Sequence, residues 1–346
     1  MNNIVVRFIS QEDVAEIFKK NADALFAVIE DAFLKYLHGD VLFPDKISQI
    51  FDLKSQNRIN CMPATLLGKD MVCGMKWVSV FPTNAKNGVQ NVTGIMVLSE
   101  INKGFPIAVI DGTLATKVRT SGVGCVAAKY LAPSKVETIG IIGSGEEARM
   151  HFALLKHLFP TIKECRVSSR SAVSEEAFIA QFKDITSDVT FIKCSNNSHK
   201  CASDADIIVT AISGQAPVLK ANDITKGGLY IHVGGWEDEY EVALKAKKIV
   251  CDDWEASKHR SQTICRMYKE GILKDHDIYA NLSDLISGRK KGRDNDDEFI
   301  YFNSVGLSYI DLNFANYIYK EAMNRGLGKN VILAEDNKVD YSALIF

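Results

Sequence analysis

The stretch IGIIGSGEEAR, residues 139–149, decides the fold of the second half of the chain. It places an apolar run directly before Gly143, Ser144 and Gly145, and a helix-forming run directly after them. A strand, a glycine turn and a helix in this order begin a βαβ unit, and the spacing has the GxGxxA form of a dinucleotide-binding loop. The sequence therefore predicts a cofactor site here, with a glycine turn that binds no ligand as the simpler alternative.

Two glutamates stand where the phosphates of a dinucleotide would lie. Acidic residues are favoured in the first turn of a helix, and backbone N–H groups can bind phosphate while the side chains point aside. We therefore expect backbone amides to bind the phosphates, and Arg119 or Arg170 to offset Glu146 and Glu147.

From residue 133 onward, apolar β-rich runs alternate with helical patterns. The runs are VETIGIIG, ECRVSS, VTFIKC, ADIIVTAI, GLYIHVGG and KKIVCDD. This alternation predicts a doubly wound parallel sheet between helix layers, which is a Rossmann-type α/β domain. We place that domain at residues 133–305.

The first part of the chain follows a different pattern. Helical spacing between residues 11 and 38 predicts one or two helices, and short β-rich runs between residues 41 and 111 predict a mainly antiparallel sheet. A helix rich in small residues follows over residues 113–131, and the last predicted helix spans residues 306–325. We expect an α+β domain formed by residues 1–132 and 306–346.

Composition restricts the possible partners. The 346 residues are 47% hydrophobic, which is enough for a large core, and the net charge of −2 leaves no basic excess for nucleic acid. The N-terminus lacks a signal-peptide pattern, and no window holds eighteen uninterrupted apolar residues. We expect a cytoplasmic protein that binds a small molecule or a second copy of the chain, and neither nucleic acid nor a membrane. The eight cysteines show no CxxC spacing, so we expect reduced core thiols and no metal site.

The second strand of the βαβ unit, CRVSSR, ends about twenty residues beyond the glycine loop, where NAD enzymes usually have Asp or Glu. This chain instead has Ser168, Ser169 and Arg170. A guanidinium beside hydroxyls suits a 2′-phosphate, so the local chemistry favours NADP(H) over NAD(H). The alternative is that Arg170 is simply solvated.

Three basic residues stand in apolar or small surroundings. Arg58 lies in NRINCMPA, Lys76 in CGMKWVSV and Arg119 in LATKVRTSG. Such charges need partners, and a carboxylate ligand is a good partner for Arg. Each one alone is better explained by a structural salt bridge or an exposed side chain. Together, beside a predicted dinucleotide domain, they indicate a site for an amino or keto acid.

Six stretches occur in a recognisable order and spacing: RINCMPA, GMKWVS, GFPIAVIDGTLATKVRTSGVGCVAAKYLA, IGIIGSGEEA, GLYIHVGG and DDEFIYFNSVGLSYIDL. Over almost the whole chain they resemble the ornithine cyclodeaminase/mu-crystallin family. The resemblance implies a homodimer whose first domain binds substrate and forms the dimer interface, while the second holds NAD(H) or NADP(H). It also implies site positions, which are matched by Arg58, Lys76 and Arg119 for the substrate and by Glu146, Glu147 and Ser304 for the cofactor.

One departure from the family concerns the position after VGG. Cyclodeaminases have an Asp there that activates water or handles protons on an imine, whereas this chain reads VGGWEDEYEV, with Trp236 at that position. Glu237 or Asp238 is the replacement acid or base we expect, because a carboxylate near a buried cation can be tuned for proton transfer. The alternative is that Glu237, Asp238 and Glu239 belong to a solvated loop or to a helix N-terminus.

Within the family, GMKWVS, PIAV, VRTSGVGCVAAKYLA, VCDDW and GRDNDDEFIYFNSVGLSYIDL resemble a branch of siderophore-pathway dehydrogenases. That resemblance implies oxidation of N-(2-amino-2-carboxyethyl)-L-glutamate to 2,3-diaminopropionate and 2-oxoglutarate, by an enzyme similar to an NAD user. The alternatives are a ketimine reductase, an alanine-type dehydrogenase, an ornithine cyclodeaminase, and a non-enzymatic binder of NADP and a small acid.

Overall fold

The computed structural model describes residues 3–52, 54–335, 342 and 345. The helices are α1 (Gln11–Phe18), α2 (Ala22–Leu37), α3 (Gly112–Leu131), α4 (Glu146–Leu158), α5 (Ala172–Phe182), α6 (Ser198–Ala202), α7 (Tyr240–Lys245), α8 (Trp254–Ser257), α9 (Thr263–Lys269), α10 (Leu282–Ile286) and α11 (Ser308–Arg325). The strands are β1 (Ile4–Ile9), β2 (Val41–Leu42), β3 (Ile47–Asp52), β4 (Asn57–Leu66), β5 (Val72–Val80), β6 (Val92–Ser99), β7 (Pro106–Asp111), β8 (Thr138–Ile142), β9 (Glu164–Ser168), β10 (Thr190–Lys193), β11 (Ile207–Thr210), β12 (Gln215–Leu219), β13 (Gly228–His232), β14 (Trp236–Asp238), β15 (Lys248–Cys251), β16 (Ile278–Asn281), β17 (Phe299–Asn303) and β18 (Lys329–Ala334).

The chain divides into two compact units. Unit 1 comprises Met1–Asn21, His38–Thr116 and Ser308–Phe346, and unit 2 comprises Ala22–Leu37 and Lys117–Leu307. The predicted domains, 1–132 with 306–346 and 133–305, differ from this division mainly at α2 and α3. Helix α2 groups with unit 2 because it packs on α10, and most of α3 does so because its side chains bind the first turn of α4.

Unit 1 is built on a sheet in the order β18-β1-β7-β6-β5-β4-β2, with β3 also paired to β4. Its neighbouring strands are antiparallel except β1 and β7, which pair in parallel. Helix α11 packs on β4, β5 and β6. Gly74 permits this close approach, because a Cβ there would lie 2.7 Å from Cδ1 of Leu312. Unit 1 thus combines a mainly antiparallel sheet with a packed helix, which is the α+β fold that the sequence predicts.

Unit 2 contains a parallel sheet in the order β10-β9-β8-β11-β13-β17-β15-β16. Strands β11, β13, β15 and β17 are buried at every residue, as expected where both faces of a sheet are covered. From β8 the chain proceeds to β9 on one side, and later returns to β11 on the other. This reversal is the switch point at which doubly wound folds bind ligands, and the Rossmann-type prediction is confirmed.

The cysteines agree with the sequence analysis, since all eight are free thiols and six are buried. Among the helices that the structure describes, none is long and apolar enough to cross a membrane. The described side chains include no group of three or more His, Cys, Asp or Glu that could hold a metal ion.

Candidate functional site

The glycine loop lies between β8 and α4, at the switch point of the unit 2 sheet. Gly143 has a φ of +118°, and a Cβ there would lie 2.4 Å from the carbonyl oxygen of Ala211. Its N–H donates to the carbonyl oxygen of Ser168 at 2.8 Å. Only glycine fits these constraints, so the tight turn that the sequence predicted at this residue is explained by packing.

The N-terminus of α4 has the features that a pyrophosphate requires. Its N-cap is Gly145, which has no side chain to bind the N–H groups of the first turn, and a Cβ at this position would meet nothing within 4 Å. The first amides of a helix lack partners within the helix and attract anions. An open approach to these amides at a switch point fits the predicted dinucleotide.

The two glutamates of the loop are bound by α3. Glu146 forms an ion pair with Lys117, and Oε2 of Glu147 accepts from Oγ of Ser121 at 3.1 Å. Lys117 and Ser121 are one helical turn apart, so they lie on the same face of α3. Lys117 is a site residue that the sequence analysis missed, although its spacing from Ser121 could have indicated it.

A buried histidine fixes α4 against α3. Nδ1 of His151 lies 2.8 Å from the carbonyl oxygen of Glu147 and 3.0 Å from Oγ of Ser121. Burial lowers the pKa of His151 to about 4, so its ring is neutral at neutral pH. The helices approach closely at Gly124, where a Cβ would lie 2.8 Å from Nε2 of His151. The loop therefore has a rigid support.

The turn after β17 carries Ser304. Two consecutive backbone N–H groups of this turn, those of Val305 and Gly306, donate to Oδ2 of Asp252 at 2.7 and 2.9 Å. Gly306 has a φ of +84°, and a Cβ there would lie 2.7 Å from Nη1 of Arg119. The guanidinium of Arg119, a predicted site residue, thus packs against the turn that carries Ser304.

The end of β9 carries Ser169 and Arg170, and it is held by a glutamate that the sequence analysis missed. Glu175, fully buried in α5, accepts from the N–H groups of Ser169 at 2.7 Å, Ser195 at 3.1 Å and Asn196 at 3.4 Å. One carboxylate therefore joins the ends of β9 and β10. Arg170 is exposed at the edge where the adenosine ribose is predicted to bind.

Glu237, a predicted acid or base, is fully buried. Its carboxylate accepts from Oγ1 of Thr210 at 2.7 Å, from N–H of Ile212 at 2.7 Å and from N–H of Gly234 at 2.8 Å. With both oxygens engaged, Glu237 ties the end of β11 to the VGG turn. This geometry favours a positioning role, and proton transfer by Glu237 stays a prediction.

Asp238 is also fully buried, so the alternative of a solvated acidic loop is wrong for both residues. Its Oδ1 accepts from Oγ1 of Thr263 at 2.6 Å and from the hydroxyl of Tyr301 at 3.2 Å, and lies 3.4 Å from Nε2 of His232. Burial raises the pKa of Asp238 to about 6. A carboxyl that titrates near neutrality can transfer protons, and that role of Asp238 also stays a prediction.

Two of the predicted substrate-binding residues, Arg58 and Lys76, lie in unit 1. Lys76 on β5 is buried, with Nζ 2.7 Å from Oδ2 of Asp311 in the first turn of α11. Arg58 on β4 donates through Nη1 to the carbonyl oxygen of Gln56 at 3.0 Å, and partial burial lowers the pKa of its guanidinium. The register pairs Arg58 with Val80, which places Arg58 and Lys76 on the same face of the sheet.

A family model described as the ornithine cyclodeaminase/mu-crystallin family matches residues 5–326. Alanine dehydrogenase of Archaeoglobus fulgidus is 31% identical over 93% of this chain and 97% of its own. The N-((2S)-2-amino-2-carboxyethyl)-L-glutamate dehydrogenase of Staphylococcus aureus is 24% identical over 94% of this chain and 98% of its own.

Two solved structures are similar throughout. The Δ1-pyrroline-2-carboxylate reductase of Thermococcus litoralis, in complex with NADH and L-proline, has a TM-score of 0.88 and 27% identity, over 94% of this chain and 100% of that chain. An archaeal alanine dehydrogenase dimer with bound NAD has a TM-score of 0.85 and 28% identity, over 95% of this chain and 100% of that chain.

Proposed function

Because the chain belongs to the ornithine cyclodeaminase/mu-crystallin family, we propose that it is an NAD(P)-dependent oxidoreductase acting on the carbon–nitrogen bond of an amino acid or imine. The observation that carries the proposal is the glycine loop at the switch point, where only glycine fits at Gly143 and the first amides of α4 are open. The relatives named above are dehydrogenases and a reductase, which supports the same class of reaction.

Each group of site residues has a role in this proposal. The backbone amides of the glycine loop would hold the pyrophosphate, and Ser304 would hold the nicotinamide end of the cofactor. The chemistry that such a cofactor would supply is hydride exchange with the carbon next to the substrate nitrogen. Arg119 binds the substrate carboxylate as a planar donor, and Lys76, with its charge balanced by Asp311, moves a proton at Nζ.

The finer proposal concerns the substrate. We propose oxidation of N-(2-amino-2-carboxyethyl)-L-glutamate to an imine, which water cleaves to 2,3-diaminopropionate and 2-oxoglutarate. The resemblance to the siderophore-pathway branch supports it, as does the relative of that name from Staphylococcus aureus. Arg58 and Lys76 on one face of the unit 1 sheet suit a substrate with several carboxylates.

An alanine-type dehydrogenase is the second candidate, and one observation favours it. Asp311 balances the charge of Lys76, which leaves less positive charge for a substrate with several carboxylates. Ornithine cyclisation is less well supported, because the position after VGG holds Trp236, whose ring lies 4.6 Å from the guanidinium of Arg266. For the cofactor, Ser169 and Arg170 favour NADP(H), whereas the similar solved structures contain NADH or NAD.

We also propose that the protein is a homodimer. Exposed apolar side chains lie on β1 and β18 at one edge of the unit 1 sheet and on β3 at the other edge, and exposed apolar surfaces are typical of protein interfaces. They are Val5, Phe8, Ile47, Ile50, Val331 and Leu333. The archaeal alanine dehydrogenase structure is likewise a dimer. Sedimentation equilibrium of the full chain tests the proposal, and a mass of one chain at all concentrations would contradict it.

A panel of substrates tests the reaction. Turnover of N-(2-amino-2-carboxyethyl)-L-glutamate, L-alanine, Δ1-pyrroline-2-carboxylate and L-ornithine is followed at the nicotinamide absorbance, with NAD(H) and NADP(H) in parallel. Turnover of the first compound alone supports the finer proposal, and turnover of alanine or the pyrroline assigns the corresponding alternative. If fluorescence shows tight cofactor binding but no compound is turned over, the protein is a non-enzymatic binder and the proposed enzymatic activity is wrong.

A further inference from the structure

The buried carboxylate of Asp252 accepts several hydrogen bonds, and the proposed function gives it no role. It lies directly after β15, next to β17 in the sheet, and is 1% exposed. Oδ2 accepts from the N–H groups of Val305 and Gly306, and Oδ1 accepts from the N–H of Asp253 at 2.9 Å. Three backbone donors therefore hold the carboxylate in place, and the carboxylate in turn holds the backbone at Asp253, Val305 and Gly306.

These bonds define the turn that begins at Ser304. The N–H of Ser304 donates to the carbonyl oxygen of His232 at 3.0 Å, so the turn is tied to β13 at its start and to Asp252 at the next two residues. Loss of the acceptor would leave buried N–H groups unsatisfied, which is strongly unfavourable. The turn would then move to find other partners.

Movement of this turn is transmitted to Arg119. A Cβ on Gly306 would lie 2.7 Å from Nη1, 3.1 Å from Nη2 and 3.3 Å from Cζ of Arg119, so the backbone of Gly306 is packed against the guanidinium. Asp252, the turn and Arg119 thus form one continuous contact chain within unit 2.

We propose that Asp252 is a positioning residue that sets the placement of Ser304 relative to Arg119. This inference rests on the proposed function, in which Ser304 lies beside the nicotinamide and Arg119 binds the substrate carboxylate. Asp252 itself contacts neither ligand. Its effect on the rate arises because a displacement of about 1 Å between reacting groups can lower the rate by about a hundredfold.

The chain offers a matched control in Asp206. Its Oδ2 also accepts from two consecutive backbone N–H groups, those of Glu137 and Thr138, both at 2.8 Å. Asp206 directly precedes β11, at the opposite end of the parallel sheet from the glycine loop. Loss of either carboxylate disturbs the same kind of bond, but only Asp252 supports the turn at Ser304.

The experiment compares Asp252→Ala with Asp206→Ala in the full chain, because alanine removes the acceptor completely. Both variants should lower the unfolding temperature, but only Asp252→Ala should increase hydrogen exchange in the turn 304–306 without cofactor. With cofactor and substrate, only Asp252→Ala should lower kcat by about tenfold or more and raise the substrate KM, while cofactor affinity changes little. Values of kcat and KM within twofold of those of Asp206→Ala would overturn the inference.

Gly306→Ala keeps the test decisive if Asp252→Ala fails to fold. This substitution leaves the acceptor in place and pushes a methyl group towards Arg119, so the same loss of kcat is expected. Unchanged kinetics of Gly306→Ala would likewise contradict the inference. Failure of the proposed function is distinct, because the wild-type protein would then bind cofactor without turning over any substrate, whereas failure of this inference leaves wild-type turnover intact.

Discussion

Nζ of Lys76 lies 2.7 Å from Oδ2 of Asp311, and the two side chains are 1% and 2% exposed. Two buried opposite charges compensate the loss of solvation that each would suffer alone. The pair therefore holds the Lys76 ammonium in one place and balances its charge, which leaves less net positive charge for the carboxylates of a substrate.

Lys76→Met should abolish turnover and lower the free energy of unfolding by about 3–5 kcal/mol, because a buried ion pair is broken and Asp311 loses the ammonium that balances its charge. Chemical denaturation and turnover assays measure the two effects. The double variant Lys76→Met/Asp311→Leu should regain most of the stability without regaining activity. Substantial turnover by the double variant would show that Lys76 takes no part in the chemistry.

The ion pair of Lys117 with Glu146 predicts a charge effect on cofactor binding. Lys117→Met should weaken NADH or NADPH binding by roughly two- to fivefold, since a charge near a helix N-terminus contributes about 0.3–1 kcal/mol. Adding Glu146→Gln should restore the affinity by removing the uncompensated carboxylate. Fluorescence titration at low and high salt measures this, and the effect should shrink at high salt. If the wild type and Lys117→Met bind the cofactor equally well at low salt, the charge of Glu146 has no effect on phosphate binding.

We expect Arg170 to determine the choice between NADP(H) and NAD(H). Arg170→Ala should weaken NADPH binding by about tenfold or more, the effect of losing a charge-assisted hydrogen bond, while leaving NADH binding almost unchanged. Lys183→Ala, which removes another exposed cation of unit 2, serves as the control. If Arg170→Ala and the control behave alike towards NADPH, Arg170 is a solvated side chain and the NADP(H) interpretation is wrong.

The sequence predicted those parts of the protein that depend on local pattern. The strand, glycine turn and helix around Gly143 occur within a dozen residues, so periodicity and spacing were sufficient. The supporting residues were missed because their partners are distant in the sequence: Asp252 acts on a turn some fifty residues later, and Asp311 pairs with Lys76, which lies far earlier in the chain. Polarity alone left a solvated loop as the alternative for the run WEDEYE, whereas Thr210, Thr263 and backbone amides satisfy Glu237 and Asp238 in the core.

The burial of Asp238 predicts how stability changes with pH. Its pKa is about 6 in the folded protein against 3.8 for an ordinary aspartate, chiefly because of burial, with Glu237 acting in the same direction and His232 opposing it. Between these two values the folded protein binds a proton that the unfolded chain has released, so the free energy of unfolding falls as pH rises through this window. The fall is at most about 3 kcal/mol for a shift of roughly two units.

Asp238→Asn should remove this dependence, because an amide does not titrate and its oxygen can still accept from Thr263. The variant should gain stability over the wild type as pH rises from 4 to 7, and the gain should level off above pH 6, as measured by urea denaturation across that range. Asp188→Asn is the control of opposite sign, because a hydrogen bond from Lys156 lowers the pKa of Asp188 below 3.8. Its variant should lose stability relative to the wild type as pH rises towards about 4, and the difference should then stay constant from pH 4 to 7. A constant difference between Asp238→Asn and the wild type would show that Asp238 is ionised throughout, and it would remove the basis for Asp238 as a proton-transfer group.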